Sequence, residues 1–225
     1  MSELLPCVEI EPRGDATSSV VWLHGLGASG HDFEPVVPHL RLPHTRFVFP
    51  HAPRRPVTIN MGLIMPAWYD ITGLDRSGGE TGRHVRESDG LVRALLAREK
   101  ERGVPPARTV LAGFSQGGAL ALFTGVRYEE TLAGIVVLSA YELLPGTRAA
   151  ESSAANAATP IFFGHGRYDP MVPLAMGKAA HAAFAGGARD ARWHEYPIEH
   201  SVSMPEIEDV AAWLRERLDP GPTVS

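Results

Sequence analysis

The chain has 225 residues, of which 44% are hydrophobic and 21% are charged. This composition is typical of a globular protein and excludes a chain that is disordered along most of its length. The formal net charge is −5, and the basic residues are scattered along the chain rather than clustered. We therefore expect no nucleic-acid partner, because the neutralisation of phosphates requires clustered positive charge. The length favours one domain over residues 1–225.

The cysteine content and the apolar runs predict where the protein is found. Cys7 is the single cysteine, so an internal disulfide is excluded and a reducing compartment is favoured. No basic region precedes an apolar run at the N-terminus, and runs such as Ala133 to Leu138 are too short to span a bilayer. We expect a soluble, cytoplasmic protein with no stable membrane insertion.

Short apolar runs alternate with longer segments of helical periodicity. Cys7 lies in a predicted peripheral strand, and the other predicted strands are Val20 to Leu23, Arg46 to Phe49, Thr109 to Ala112, Gly134 to Leu138, Ile161 to Phe163 and Ala191 to Tyr196. Most of them are apolar throughout, which is typical of strands covered on both faces. The predicted helices are 85–99, Gly117 to Val126, Pro173 to Ala185 and 207–218. The alternation predicts an α/β fold, with a mostly parallel central sheet and helices on both faces.

Three local features refine this prediction. Ser203 and Glu206 have the Ser-x-x-Glu spacing of a capping box at the start of the last helix. The segment His51 to Thr81 has no sustained periodicity but an apolar middle, so we expect a functional segment rather than a disordered loop. The segment Glu142 to Thr159 has no strong pattern, and we assign it no function.

A Gly-x-Ser-x-Gly pattern lies between a predicted strand and a predicted helix, with Ser115 at its centre. In a nucleophile elbow the serine occupies a strained turn, and the small flanking residues let strand and helix approach closely. The pattern alone is weak, but its position at a strand-to-helix turn is the required context. Ser115 is the candidate nucleophile.

A serine nucleophile needs a histidine base and an acid that orients the base, and on this fold they follow in the order acid, then histidine. Asp169 follows a buried predicted strand, whereas Asp190 precedes the next one, so Asp169 is the better candidate acid. His200 lies on a loop at the same sheet edge, whereas two other histidines lie in a predicted helix and strand: His181 and His194. The alternative for His200 is an ordinary loop histidine at the start of the final helix.

The loop after the second predicted strand is a candidate for oxyanion stabilisation. Backbone N–H groups aimed at the developing negative charge are worth on the order of 3 kcal/mol each. We predict donors at Gln116, which follows the nucleophile, and at Leu26. The same loop, from Gly25 to Gly30, also matches the Gly-x-Gly-x-x-Gly of dinucleotide-binding proteins. That alternative lacks the acidic residue expected about 20 positions on, although Arg54 and Arg55 could meet a 2′-phosphate.

Several linked motifs give the chain a resemblance to the phospholipase/carboxylesterase family of α/β-hydrolases, between about Val20 and Leu218. The motifs are His24-Gly-Leu-Gly, Phe49-Pro-His-Ala-Pro53, Arg55-Pro-Val-Thr-Ile-Asn60, Met65-Pro-Ala-Trp-Tyr-Asp70, Gly113-Phe-Ser-Gln-Gly-Gly118, Leu138-Ser139, Gly164-His-Gly-x-x-Asp169-x-x-Val172 and His200-Ser-Val. The resemblance implies a catalytic triad of Ser115, Asp169 and His200, with oxyanion donors at Leu26 and Gln116. One departure is Glu199, because the family usually has a small residue just before the catalytic histidine.

The expected activity is that of a serine carboxylesterase acting on short to medium-chain esters, with an acyl-protein thioesterase or lysophospholipase as the alternative. A binding module without turnover is disfavoured because all the motif positions are intact. The apolar residues predicted to bind the acyl group, which could equally be core, are Leu63, Ile64, Met65, Trp68, Met171 and Val172. We expect no cofactor and no metal, because three histidines lack the spacing of metal ligands: His24, His51 and His165. Exposed apolar surface on the long loop could support a homodimer.

Overall fold

A mostly parallel sheet runs through the centre of the protein, whose computed structural model describes residues 4–72 and 79–219. Its strands, among the described residues, are β1 (Cys7–Ile10), β2 (Ser18–Leu23), β3 (Thr45–Pro50), β6 (Thr109–Phe114), β7 (Gly134–Leu138), β8 (Ile161–Gly166) and β9 (Ala191–Tyr196). They lie in the order β1-β3-β2-β6-β7-β8-β9, and only the edge pair β1–β3 is antiparallel. The predicted strands and the peripheral position of Cys7 are confirmed.

Helices cover both faces of the sheet, as the sequence predicts. They are α1 (Val37–Leu40), α2 (Gly79–Glu101), α3 (Gln116–Arg127), α4 (Arg148–Glu151), α5 (Leu174–Phe184) and α6 (Met204–Leu218), together with a 3₁₀ helix over Gly30–Val36. One apolar cluster packs α2, α3 and α5 against side chains such as Val21 and Leu111. The second packs α1 and α6 against the side chains that point the other way, such as Val20 and Val110. This alternation of side chains between two covered faces explains why most of the inner strands contain a continuous apolar run.

The segment after β3 forms a hairpin that the sequence analysis missed. Strands β4 (Arg54–Val57) and β5 (Leu63–Pro66) pair antiparallel as a separate two-stranded sheet. The carboxylate of Asp70 holds the turn end of the hairpin by accepting hydrogen bonds from the backbone N–H and the hydroxyl of Thr58, at 2.7 and 2.6 Å. Residues 73–78 of the same predicted segment lie outside the described residues. Within the described part of this segment, the insertion is a short hairpin and not a large cap domain.

The capping box predicted at the start of α6 is only half formed. Ser203 is the N-cap, and its hydroxyl oxygen accepts a hydrogen bond from the backbone N–H of Glu206 at 3.4 Å. The Glu206 carboxyl does not return to the backbone of Ser203, because it is fully buried and makes no hydrogen bond with a described residue. This prediction was therefore wrong for Glu206. Across the described ranges, no helix is long and apolar enough to cross a membrane.

Candidate active site

The predicted site residues meet at the edge where the parallel strands end. Leu26 follows β2, Ser115 follows β6, Asp169 follows β8 and His200 follows β9. After β2 the chain first adds β3 on one side of β2 and later adds β6 on the other side. The direction in which strands are added to the sheet therefore reverses between β2 and β6. In open α/β sheets, ligands bind in the crevice that such a reversal creates at the carboxyl ends of the strands.

Ser115 occupies a strained turn between β6 and α3. Its backbone angles are φ 54° and ψ −119°, a region that residues with a side chain rarely adopt. The turn is tight because Gly113 and Gly117 pack directly against backbone: a Cβ at Gly113 would lie 2.3 Å from the carbonyl oxygen of Gly117, and one at Gly117 would lie 2.4 Å from that of Leu23. The glycines are therefore required by close approach, and the hydroxyl of Ser115 is presented at the strand edge.

His200 lies between Ser115 and Asp169 and is within hydrogen-bond distance of both. Its Nε2 is 2.8 Å from Oγ of Ser115, and its Nδ1 is 2.6 Å from Oδ2 of Asp169. The ring of Phe114 covers one side of the imidazole, at a centroid distance of 4.8 Å. The alternative of an ordinary loop histidine does not account for these contacts, because they join three residues far apart in the chain.

Asp169 is held as an ionised, well-oriented carboxylate. Burial alone would raise its pKa, but the hydrogen bond to His200 and the backbone N–H groups of Val172 and Met171 lower it by more, so the net pKa lies below its ordinary value. Both of these N–H groups donate to Oδ1 at 2.8 Å, which leaves Oδ2 to His200. Because an ionised carboxylate can only accept, the proton between the two residues belongs to Nδ1, and Nε2 can accept the Ser115 proton.

The two residues predicted to supply the oxyanion donors lie at the same cavity as Ser115. Leu26 and Gln116, the predicted oxyanion donors, both line the cavity that contains Ser115. The N–H of Leu26 has no acceptor among the described residues, and neither has that of Gln116. Such groups can donate to a negatively charged oxygen that develops in the cavity.

The cavity at this edge has a volume of about 790 Å³, within the range of small-molecule sites. Besides the residues already named, its lining is mostly apolar and includes Phe33, Ile59, Ile71, Tyr141 and Val202. These side chains were not predicted from the sequence because they come from five separate segments with no common motif. Phe33 and Val202 pack on the α6 side of the sheet, and Ile71 and Tyr141 on the α2 side, so the cavity straddles the sheet edge.

Half of the residues predicted to bind the acyl group line the cavity: Met65, Met171 and Val172 do so, whereas Leu63, Ile64 and Trp68 do not. Leu63 and Ile64 are 63% and 58% exposed on β5, in contrast to Val57 on the paired strand β4, which is fully buried. Trp68 is fully buried in the core instead, where its indole N–H donates to the carbonyl oxygen of His24 at 2.9 Å. The exposed surface that could support a homodimer is thus the hairpin without Trp68, and dimerisation stays a prediction.

The side chain of Gln116 is a further feature of the site that the sequence motifs did not predict. Its Oε1 accepts from the backbone N–H of Trp68 at 2.7 Å, and its Nε2 donates to the carbonyl of Tyr69 at 2.6 Å. This buried amide ties the segment after the hairpin to the turn that carries Ser115. A long polar residue in an otherwise small, apolar motif was the available signal.

Glu199, the departure from the family pattern, is exposed and does not line the cavity. Its carboxylate is exposed and makes no ion pair or hydrogen bond with a described residue. Only its backbone is used: the carbonyl accepts from the N–H of Ser201 at 3.0 Å, and a Cβ at Gly166 would lie 2.2 Å from the same oxygen. A longer side chain is accepted here because the position faces solvent.

The three histidines considered as metal ligands in the sequence analysis, His24, His51 and His165, bind backbone groups instead. Nδ1 of His51 accepts from the N–H of Gly30 at 3.1 Å, and Nε2 of His165 lies 2.9 Å from the carbonyl of Val172. In the part of the chain that the structure describes, no group of three or more histidine, cysteine or acidic residues has the arrangement of a metal site.

The glycine-rich loop does not have the structure that a dinucleotide site requires. In that site the third glycine opens an α-helix whose N-terminus binds the pyrophosphate. Here Ser29 caps a 3₁₀ helix over Gly30–Val36, with Pro35 inside it. The loop instead places Leu26 in the cavity beside Ser115.

Comparison with known proteins identifies the family of the chain. A model of the phospholipase/carboxylesterase family matches residues 6–218. The chain is 37% identical over 219 residues to acyl-protein thioesterase 1 of Gibberella zeae, covering 91% of this chain and 92% of that protein. It is 35% identical over 221 residues to acyl-protein thioesterase 1 of Yarrowia lipolytica, covering 95% and 97%. Among solved structures, esterase PE8 is similar with a TM-score of 0.83 and 30% identity, covering 96% of this chain and all of that one. The chain therefore belongs to the phospholipase/carboxylesterase family of α/β-hydrolases.

Proposed function

We propose that this protein is a serine carboxylesterase that hydrolyses short to medium-chain carboxylic esters through an acyl-enzyme intermediate. The observation that carries the proposal is the hydrogen-bonded chain from Ser115 through His200 to Asp169, which opens into an apolar cavity. A serine hydroxyl becomes an effective nucleophile only when a base accepts its proton and a third group orients that base.

The first half-reaction attaches the acyl group to the enzyme. Oγ of Ser115 attacks the ester carbonyl while its proton passes to Nε2 of His200, and Asp169 stabilises the resulting imidazolium. The carbonyl oxygen becomes negative, and the N–H groups of Leu26 and Gln116 donate to it. The tetrahedral intermediate then collapses as His200 returns the proton to the departing alkoxide oxygen, so that the alcohol leaves and an ester bond to Ser115 remains.

Water completes the cycle by the same route. His200 accepts a proton from the attacking water, the oxyanion donors stabilise the second tetrahedral intermediate, and the carboxylic acid leaves as Ser115 regains its proton. Each group therefore acts twice, and the protein ends the cycle in its starting state.

The cavity favours apolar acyl groups of limited length. Met65, Ile71 and Tyr141 give its wall an apolar character, and its volume of about 790 Å³ suits a small molecule. Within the described residues the hairpin is the one insertion beside the site, so the acyl group is enclosed by the edge of the sheet rather than by a cap domain.

A second candidate function is that of a thioesterase, and one observation favours it. Both relatives compared above are named acyl-protein thioesterases, and they are 35–37% identical to this chain. A thiol has a pKa near 8.5, so a thiolate leaves with less need of a proton from the histidine than an alkoxide does. The same residues therefore suit both reactions, and the leaving group decides between them.

The test is a series of matched oxygen and sulfur esters with acyl chains of four to twelve carbons, with Ser115→Ala as the control. We expect hydrolysis of p-nitrophenyl butyrate that is lost in Ser115→Ala, and a fluorophosphonate probe that labels the wild-type protein at Ser115. Higher kcat/KM on sulfur esters at equal chain length would favour the thioesterase. Hydrolysis that survives in Ser115→Ala, or a probe that leaves Ser115 unmodified in folded protein, would refute the proposal.

We also propose a cellular location and an oligomeric state for the enzyme. We keep a cytoplasmic location, in line with the single cysteine, Cys7, whose thiol is half-buried and has its pKa raised to about 11 by burial. We also keep a homodimer formed through the exposed hairpin as a hypothesis, which sedimentation of the wild-type protein and of an Ile64→Arg variant would test.

A further inference from the structure

The imidazole of His24 is buried directly behind the loop that carries Leu26. His24 follows the end of β2, and it is only 1% exposed. Its Nδ1 lies 2.7 Å from the carbonyl oxygen of Gly25, and its Nε2 lies 3.0 Å from the backbone nitrogen of Ala52. Neither contact takes part in the proton transfers described above.

These two contacts fix the tautomer of His24. The backbone N–H of Ala52 can only donate, so Nε2 must accept and carries no proton. Nδ1 then carries the proton and donates it to the Gly25 carbonyl. Burial lowers the pKa of His24, which is consistent with a neutral ring.

The bond to the Gly25 carbonyl also determines the direction of another group. The carbonyl of Gly25 and the N–H of Leu26 belong to one planar peptide unit, and in a trans peptide the two point in opposite directions. Fixing the oxygen therefore fixes the N–H. The N–H of Ala28 also donates to the Gly25 oxygen, but at 3.3 Å, so the bond from His24 is the shorter of the two.

We propose that His24 is a positioning residue: its Nδ1–H holds the Gly25–Leu26 peptide so that the Leu26 N–H is aimed at the oxyanion. This inference rests on the proposed function, because it assigns a support to one of the two proposed oxyanion donors. His24 does not touch the reacting atoms and acts only through the peptide that it holds.

The other side of His24 is connected to the second proposed donor. The carbonyl of His24 accepts from the indole N–H of Trp68 at 2.9 Å, and the backbone N–H of Trp68 donates to the side chain of Gln116 at 2.7 Å. A buried chain of hydrogen bonds thus runs from the Leu26 loop to the residue whose own N–H is the other donor. Pre-organisation of both donors before substrate binds is what makes an oxyanion site effective.

Two variants separate the two contacts of the His24 ring. In His24→Asn the side-chain amide nitrogen can occupy the place of Nδ1 and keep the bond to Gly25. In His24→Gln the longer side chain can accept from Ala52 at the place of Nε2, but no donor remains for Gly25. Three measurements are made on each variant: kcat and KM on p-nitrophenyl butyrate, the inhibition constant of a trifluoromethyl ketone, and the thermal midpoint of unfolding. The ketone is chosen because its adduct with serine carries an oxyanion.

We expect His24→Gln to lower kcat by about ten- to a hundredfold, with KM changed less than about threefold, since a donor aimed at the transition state does not contribute to substrate binding. Binding of the trifluoromethyl ketone to His24→Gln should weaken by a similar factor. His24→Asn should keep kcat within about tenfold of wild type. Equal losses of kcat in both variants, or unchanged ketone binding in folded His24→Gln, would overturn the inference alone. Hydrolysis that persists in Ser115→Ala would overturn the proposed function and this inference with it.

Discussion

Nδ1 of His200 lies 2.6 Å from Oδ2 of Asp169, while Oδ1 of the same carboxylate accepts two backbone N–H groups. The two oxygens thus have separate tasks: one fixes the carboxylate to its own loop, and the other fixes the imidazole. Because each oxygen is committed, the carboxylate cannot rotate without breaking a bond. The fixed carboxylate is also ionised and can only accept, so it keeps the proton of His200 on Nδ1. The tautomer of His200 therefore depends on the charge of Asp169 as well as on where Asp169 lies.

The first prediction follows from this division. In Asp169→Asn the side chain keeps its shape, but its amide can favour the wrong tautomer of His200, so we expect kcat on p-nitrophenyl butyrate to fall by about 10³ to 10⁴. The matched control is Asp190→Asn, which alters an aspartate before β9 that pairs with Arg192 and Arg217. We expect the control to keep wild-type kcat, and a loss of less than tenfold in Asp169→Asn would contradict the proposed role.

The second prediction concerns the acyl wall. Met65 lines the cavity, whereas Leu63, two residues earlier on the same strand, is 63% exposed and does not. We expect Met65→Trp to lower kcat/KM for decanoate esters at least tenfold more than for butyrate esters, because the added ring fills space that a long chain needs. Leu63→Trp should leave the chain-length profile unchanged. A profile that shifts with Leu63 but not with Met65 would mean that the acyl group lies on the hairpin surface.

The third prediction concerns the residue before His200. Since the carboxylate of Glu199 is exposed and unpaired among the described residues, Glu199→Gly should leave kcat/KM within about tenfold of wild type. Stopped assays of kcat/KM between pH 6 and 9 are the measurement. A larger loss, or a displaced pH profile, would assign Glu199 a part in setting the basicity of His200.

The fourth prediction concerns the buried carboxyl of Glu206. Burial is the main cause that raises its pKa to about 8; the nearby backbone N–H of Ser203 opposes this rise, and the charge of Asp209 adds to it. The unfolded chain loses this proton near its ordinary value of 4.5, whereas the folded protein keeps it to about 8. The contribution of Glu206 to stability is therefore fully present below pH 4.5 and is lost as the pH rises to about 8.

Urea denaturation at pH 5 and pH 8 measures this effect. The quantity to compare is the free energy of unfolding of Glu206→Gln minus that of wild type. We expect this difference to be roughly 2 to 4 kcal/mol larger at pH 8 than at pH 5, because the wild-type protein alone loses stability between the two. Glu208→Gln, which changes an exposed neighbour, should leave the pH dependence as it is in wild type. A parallel pH dependence in wild type and Glu206→Gln would show that the buried carboxyl does not titrate in this range.

Sequence patterns predicted the parts of the fold that depend on repetition. The inner strands contain continuous apolar runs, such as Val20 to Leu23 and Gly134 to Leu138, which predicted their place in the sheet. The order of strands and helices allowed Ser115, Asp169 and His200 to be assigned to one sheet edge. The hairpin was missed because β4 and β5 have only four residues each and contain prolines at Pro56 and Pro66, and because the burial of β5 does not alternate. Periodicity carries no signal in such strands.

The side chains that support the site could not be predicted in the same way. Trp68 belongs to an apolar segment that resembles a pocket wall, yet its indole N–H and backbone N–H find partners in the core. Glu206 has the spacing of a capping residue, but Gly164 leaves room beneath β8 for its carboxyl: a Cβ there would lie 2.5 Å from Oε1. In both cases a contact from a distant segment outweighs the local pattern, and such contacts are not visible in one sequence.

The polarity of the strands has a practical consequence for immobilising this protein. All of the proposed reacting groups follow strand ends, whereas the turn at Gly186 and Gly187 precedes β9 and is exposed at the opposite end of the sheet. An affinity tag or a surface linker inserted at that turn would hold the molecule with its cavity facing the bulk solution.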